Sequence, residues 1–191
     1  MVRSSRNKTW PPKQEQLLAY ARRHCARYPA NRATLCRVLQ KYSTKYQSDS
    51  CDRVDSDDHL IPVLDQLEQE GVLDGYKFAK SHFQRLMERG VSLNHLKPRL
   101  LAKSVPEDLA DRLIKDALAE MDRETLQLQA CARYALRCGL GAARLFSAPP
   151  GQTQRDIAKM ARNGFSYSTV RQILEIDDMG KLQELANYDG V

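Results

Sequence analysis

The side chains of this sequence that could hold a metal or open a covalent reaction are four histidines, five cysteines and 24 acids, and their spacing organises them for neither task. His24, His59, His82 and His95 are too scattered for zinc ligation, which wants pairs a few residues apart. Cys25, Cys36, Cys51, Cys131 and Cys138 are odd in number and contain no Cys-x-x-Cys, which argues for reduced thiols rather than a disulfide framework or a zinc site. His24 and Cys25 are adjacent, and neighbours on a helix point in different directions, so they do not make a nucleophile and its base. Asp49, Asp52, Asp55, Asp57 and Asp58 are dense enough to suggest calcium, yet the Gly of the sharp turn and the distal Glu of a calcium loop are missing, and a solvated linker is expected. No phosphate-cradling Gly-rich loop and no nucleophile elbow is present. The expectation is a protein without catalytic residues, metal or cofactor.

The remaining chemistry is electrostatic. The net charge of +6 conceals segregation: residues 1–46 hold eleven Lys or Arg against the single acid Glu15, and residues 126–174 hold seven against Asp156. Between and beyond them, residues 47–58 carry five Asp against Arg53, and the stretch after 174 carries five acids against Lys181. Two basic regions around a nearly balanced middle suggest a polyanion or an acidic protein surface as partner. The first candidate patch is Arg22, Arg23, Arg27, Arg32, Arg37 and Lys41; the second is Arg133, Arg137, Arg144, Arg155, Lys159, Arg162 and Arg171. Contacts of this kind with phosphates would position a strand and would not read its bases. Tyr20, Tyr134 and Tyr167 could stack on bases, although helical spacing favours partial burial for all three.

These patches need helices to carry them. Gly is scarce, charged residues make up 28% and hydrophobic residues 42%, and alternating runs bounded by turns are missing, so the chain is expected to be all-α. Leu60, Val63, Leu64 and Leu67 form an apolar stripe that ends at Gly71, a residue suited to the left-handed closing position of a helix. Val72 and Leu73 should pack that corner, and Asp74 should cap the next helix, which brings Phe78, Ala79, Phe83 and Leu86 to a core. Helices are predicted over about 13–27, from Asn31 as cap onward, 60–70, 75–89, from Ser92 as cap to about 103 with a kink or a later start at Pro98, from Pro106, 123–138, 153–162 and 166–176, with a short acidic helix possible after that. Residues 1–12, including Trp10, are expected to be a flexible basic arm, and about 43–59 an acidic loop insertion.

Three stretches echo one another: Leu60-Ile61-Pro62-Val63-Leu64, Ala110-Asp111-Arg112-Leu113-Ile114 and Val170-Arg171-Gln172-Ile173-Leu174. Related lead-ins precede two of them, Lys103-Ser104-Val105-Pro106 and Asn163-Gly164-Phe165-Ser166. The expected architecture is an elongated, curved array of three tandem three-helix repeats, 13–72, 73–120 and 121–176, followed by an acidic C-terminal tail, 177–191. No apolar run has the length of a membrane span, and a monomer in the cytoplasm is expected.

The pattern Leu67, Gly71, Val72, Leu73, Asp74, Phe78, Ala79, together with the closing Gly164-Phe165 corner and Val170, Ile173 and Leu174, resembles the RecX family of RecA recombinase regulators over about 16–176. Ser104 stands where that family usually has Gly, and the 43–59 loop is longer than its common form. The resemblance implies a three-repeat helical modulator, usually an inhibitor. Such a protein binds RecA filaments on single-stranded DNA in their groove, limits growth, ATPase, strand exchange and coprotease activity, and binds single- and double-stranded DNA weakly by itself. The alternative is a stand-alone helical DNA-binding module of helix-turn-helix type. Against it, the third helices of the repeats carry few base-reading side chains at matching positions.

Overall fold

The computed structural model describes residues 12–44, 57–145 and 149–187. The expected basic arm, apart from Pro12, and most of the acidic insertion, 45–56, lie outside them, as do Trp10, Cys51, Asp49, Asp52 and Asp55. Among the described residues the chain is all-α, without strands: α1 Gln14–Arg27, α2 Arg32–Ser43, α3 Ile61–Gln69, α4 Gly75–Glu88, α5 Leu93–Leu101, α6 Glu107–Glu120, α7 Arg123–Cys138, α8 Gln152–Arg162, α9 Tyr167–Leu174 and α10 Met179–Asn187. Single 3-10 turns stand at Asp57–His59 and Gly141–Ala143. The chain forms two compact units, Met1–Phe78 and Ala79–Val191, and the boundary falls inside α4.

The first unit closes on the apolar stripes visible in the sequence. Leu17, Leu18 and Ala21 of α1, Leu35 and Leu39 of α2, and Val63, Leu64 and Leu67 of α3 form one buried cluster with Leu60 and Leu73. Each Leu withdrawn fully from water contributes about 1.5–3 kcal/mol relative to an exposed one. Tyr20 stacks on Tyr42 with ring centroids 4.1 Å apart, so it belongs to this packing. In the second unit α7 is the most deeply buried helix, with Ala130, Cys131, Ala132, Tyr134 and Ala135 in a core that also takes Met160, Phe165, Val170 and Ile173. Burial among these apolar groups pushes the Cys131 thiol up to about 12, an inert thiol.

One corner geometry recurs. At Gly71 (φ 68°) the amide donates to the Glu68 carbonyl at 3.0 Å, and the following Val72 amide donates back to the Leu67 carbonyl at 3.0 Å. The same two bonds, with an apolar residue after the left-handed one, close α4 at Gly90-Val91, α5 at Ser104-Val105, α7 at Gly139-Leu140 and α8 at Gly164-Phe165. This arrangement satisfies the last carbonyls of a helix and buries an apolar side chain under its end. Ser104 alone reaches it with a Cβ (φ 58°), at a strain of about 1–2 kcal/mol. Gly90 has a second reason to be glycine, since a Cβ there would lie 2.4 Å from the Ala130 carbonyl oxygen and the Tyr134 amide of α7. At Gly164 a Cβ would meet Ser92 Oγ at 2.6 Å.

Helix starts follow the sequence reading with one exception. Asn31 Oδ1 accepts the Thr34 amide at 2.9 Å, Asp74 Oδ1 the Lys77 amide at 2.9 Å, and Ser166 Oγ the Thr169 amide at 3.1 Å. Backbone and side-chain contacts with Lys77 hold the Asp74 carboxyl below its usual range, the amide bond first among them. Ser92 occupies the cap position of α5 but makes no capping bond; its Oγ is buried without a partner, and Gln127 Oε1 accepts the Leu93 amide instead at 3.0 Å. Ser92→Ala is therefore expected to leave stability within about 0.5 kcal/mol or to raise it, because an unsatisfied buried hydroxyl is removed. Asn31→Ala should cost about 1 kcal/mol. Urea titration of helicity compares the two, and equal losses would overturn the reading of Ser92.

The short helix allowed for after 176 is α10, whose Leu182 and Ala186 are buried against α7. α5 keeps Pro98 inside it and ends at Leu101, near the expected 103.

Candidate functional site

The first basic patch is partly neutralised by its own unit. Arg22 donates to Glu70 through Nε (3.2 Å) and a terminal nitrogen (2.7 Å), which joins α1 to the end of α3. Arg32 reaches Asp65 and Glu68 of α3, each at 2.7 Å. The Arg22 hydrogen bond holds the Glu70 carboxyl below its usual range, and hydrogen bonding to Asp65 leads the effects that raise the Arg32 guanidinium. These ion pairs are exposed, where pairing contributes little to stability, but they occupy both guanidinium groups. Arg23, Arg27, Arg37 and Lys41 are exposed, and Arg23 Nε donates to the Ala19 carbonyl of its own helix at 3.5 Å. Arg23 with Arg27, and Arg37 with Lys41, are spaced to share a helix face.

The second patch is sorted more sharply. Arg133 is half-buried, and its Nε donates to the Ala186 carbonyl of α10 at 2.7 Å while a terminal nitrogen reaches the Met87 carbonyl of α4 at 3.4 Å. It caps the ends of two helices and is no surface cation. Arg144 binds the buried Asp156, whose other oxygen accepts from Gln152 at 2.8 Å. Arg171 pairs with Glu175 one turn on, at 2.6 Å. What remains is Arg137 on α7 with Arg155, Lys159 and Arg162 on α8.

Tyr134 stands beside two of these residues. Its ring is buried against Phe165 (centroids 5.7 Å apart), and its hydroxyl accepts from Asn163 Nδ2 at 2.6 Å. The Arg137 guanidinium stands 5.2 Å from the ring centroid, and Arg162 acts electrostatically on the same phenol. Arg155, Lys159 and Arg162 fall at i, i+4 and i+7, one face of α8 extending about 10 Å along its axis. Cations in the last turn also offset the negative helix end, so this face has a structural use beside any binding role. Tyr134 is thus a buried post, Tyr20 is partly buried against the core of the first unit, and Tyr167 is exposed, where partial burial was expected.

No family model and no solved structure matches the chain. It is 25% identical over 154 residues to a protein named regulatory protein RecX from Myxococcus xanthus (strain DK1622), a match spanning 78% of this chain and 79% of that one.

Among the described residues no group of His, Cys, Asp and Glu could hold a metal ion, and no helix is long and apolar enough to cross a membrane. The sequence reading overlooked a third concentration of positive charge, Arg85, Arg89 and Lys103 around His82, all in the second unit. The spacing of His82, Arg85 and Arg89 would have signalled it, had the balanced overall charge of the middle of the chain not hidden it.

Proposed function

We propose that this chain is a non-enzymatic regulator of a RecA-type recombinase, binding the filament that the recombinase forms on single-stranded DNA and limiting its growth and ATP turnover. The observation that carries the reading is the similarity to regulatory protein RecX across more than three quarters of both chains. Supporting it, Gly71 and Asp74 build the helix corner on which the sequence resemblance rests, and the helix ends at Ser104 and Gly164 repeat that corner. In this reading 13–72, 73–120 and 121–176 are three related units of an elongated, curved array that acts as a monomer in the cytoplasm and lies in the filament groove. Arg137, Arg155, Lys159 and Arg162 are its principal contacts in the third unit, with Arg23, Arg27, Arg37 and Lys41 in the first. The same contacts give the chain its weak affinity for DNA alone, and the lowered strand exchange and coprotease activity follow from the shortened filament.

The test is single-stranded-DNA-dependent ATP hydrolysis by the recombinase, titrated with this protein while filament length is followed. Inhibition well below one molecule per recombinase protomer, with shortening filaments, is the expected result. Arg137→Glu with Arg162→Glu should raise the concentration needed by about tenfold or more while helicity is kept, since charge reversal turns two attractions into repulsions. No inhibition by the folded wild type would defeat the function; unchanged inhibition by the double variant would defeat only the site. Arg133 is left out of the variant because its loss would disturb two helix ends.

A further inference from the structure

Four arginines of the second unit are held in three different ways. Arg133 is held by the Ala186 and Met87 carbonyls, and Arg144 and Arg171 by the Asp156 and Glu175 carboxylates. Those partners take up guanidinium donors, and each carboxylate also cancels the charge it holds. Arg137 is held by a ring. Its guanidinium carbon stands 5.2 Å from the centroid of Tyr134, one turn back on α7, within the range of a cation–π contact. Among the described residues no carboxylate pairs with it. An aromatic face attracts a guanidinium without neutralising it, so the charge of Arg137 stays open to an anion.

The ring is itself fixed. Tyr134 is 5% exposed, it packs on Phe165 with centroids 5.7 Å apart, and its hydroxyl accepts from Asn163 Nδ2 at 2.6 Å. The same Nδ2 donates to the Lys159 carbonyl at 2.9 Å, which ties the phenol to the last turn of α8, where Lys159 and Arg162 stand. Arg137 is exposed, yet what it rests on belongs to the core.

An exposed arginine loses side-chain freedom when it grips a phosphate, and a residue that orders it beforehand removes part of that cost. We propose that Tyr134 is a positioning residue for phosphate binding, its ring face holding Arg137 in the conformation that grips the backbone of a single-stranded nucleic acid. This role rests on the reading of Arg137 as a filament contact and adds to it the residue that orients it.

Two measurements on the full chain test the role without recombinase. In the nuclear magnetic resonance spectrum of the free protein, the Arg137 side chain should carry a ring-current shift that survives Tyr134→Phe and disappears in Tyr134→Leu. In fluorescence anisotropy of a labelled oligothymidylate, Tyr134→Leu should weaken binding about two- to fivefold, the share of one exposed cation–π contact. Its logarithmic salt slope should match wild type, because the number of cations is unchanged. Tyr134→Phe keeps the ring and should bind within about twofold of wild type. In an Arg137→Gln background the Leu substitution should have no further effect, the non-additivity of a residue that acts through another. A tyrosine needed only for folding would cost the same affinity in both backgrounds. Arg137→Lys leaves the core untouched and covers a Tyr134→Leu chain that does not fold: it keeps the charge and the salt slope, loses the planar group, and should also bind more weakly.

Absence of the ring-current shift, equal losses with and without Arg137, or wild-type affinity in Arg137→Lys would overturn the positioning role. Unchanged affinity in Arg137→Gln would overturn the contact with it. A loss in Arg137→Gln and none in a folded Tyr134→Leu would overturn the role of Tyr134 and leave the contact standing. If both measurements come out as expected while the recombinase is not inhibited, only the proposed function fails.

Discussion

Gly90→Ala should destabilise the second unit by about 2–5 kcal/mol, the sum of left-handed strain and overpacking. The corner at Gly90 (φ 64°) rests on the α7 backbone so closely that an added methyl would sit 2.4 Å from two main-chain atoms. Neither atom can yield without moving α7, and α7 carries the core of the unit. Gly71→Ala supplies the control. Its backbone is as strained for an alanine (φ 68°), but a Cβ there has nothing within 4 Å, so the loss should be about 1–2 kcal/mol. Urea titrations of helicity compare them, and equal losses at the two glycines would show that the Gly90 corner does not press on α7.

Arg144→Ala should cost about 3–5 kcal/mol, the usual effect of leaving one member of a buried ion pair without its partner. The Asp156 side chain is 5% exposed, and Gln152 alone cannot balance its charge. Replacing Asp156 by Ala as well removes the stranded carboxylate and should recover part of the loss, a non-additivity that a double-mutant cycle on thermal melting measures directly. A single-variant loss below about 1 kcal/mol would place the pair in solvent, and Arg144 would then return to the set of candidate phosphate contacts.

The contrast between these arginines shows what the sequence can and cannot disclose. Local grammar was legible: the cap at Asn31, the left-handed closure at Gly71, the bounds of α7 and the apolar stripes of α1 to α3 all depend on residues within one or two turns of each other. Arg133 and Arg144 read in sequence like any basic surface residue, and what removes them from the surface lies elsewhere in the chain: a carbonyl 53 residues away and a carboxylate 12 residues away. Ser92 failed for the same reason: packing buries its hydroxyl without a partner, and Gln127 from another helix holds the first amide of α5. Helical periodicity predicted partial burial for Tyr20, Tyr134 and Tyr167 alike, and only tertiary packing separated the stacked Tyr20 and the post Tyr134 from the exposed Tyr167. The His82 cluster was hidden by averaging charge over a long segment, although its spacing was present throughout.

The place of α10 against α7 also sets an order of events during synthesis. A ribosome completes α7 well before Leu182, Ala186 and the carbonyl that Arg133 grips have been made. At ordinary rates of translation the delay is on the order of seconds, long compared with helix formation. For that time a nascent α7 keeps uncovered the apolar face that α10 later closes. Helix α1 waits in a similar way for Leu60, Val63 and Leu67, which complete its buried cluster. Nascent chains halted between residues 140 and 180 should therefore engage chaperones through α7, and those extended past 187 should release them.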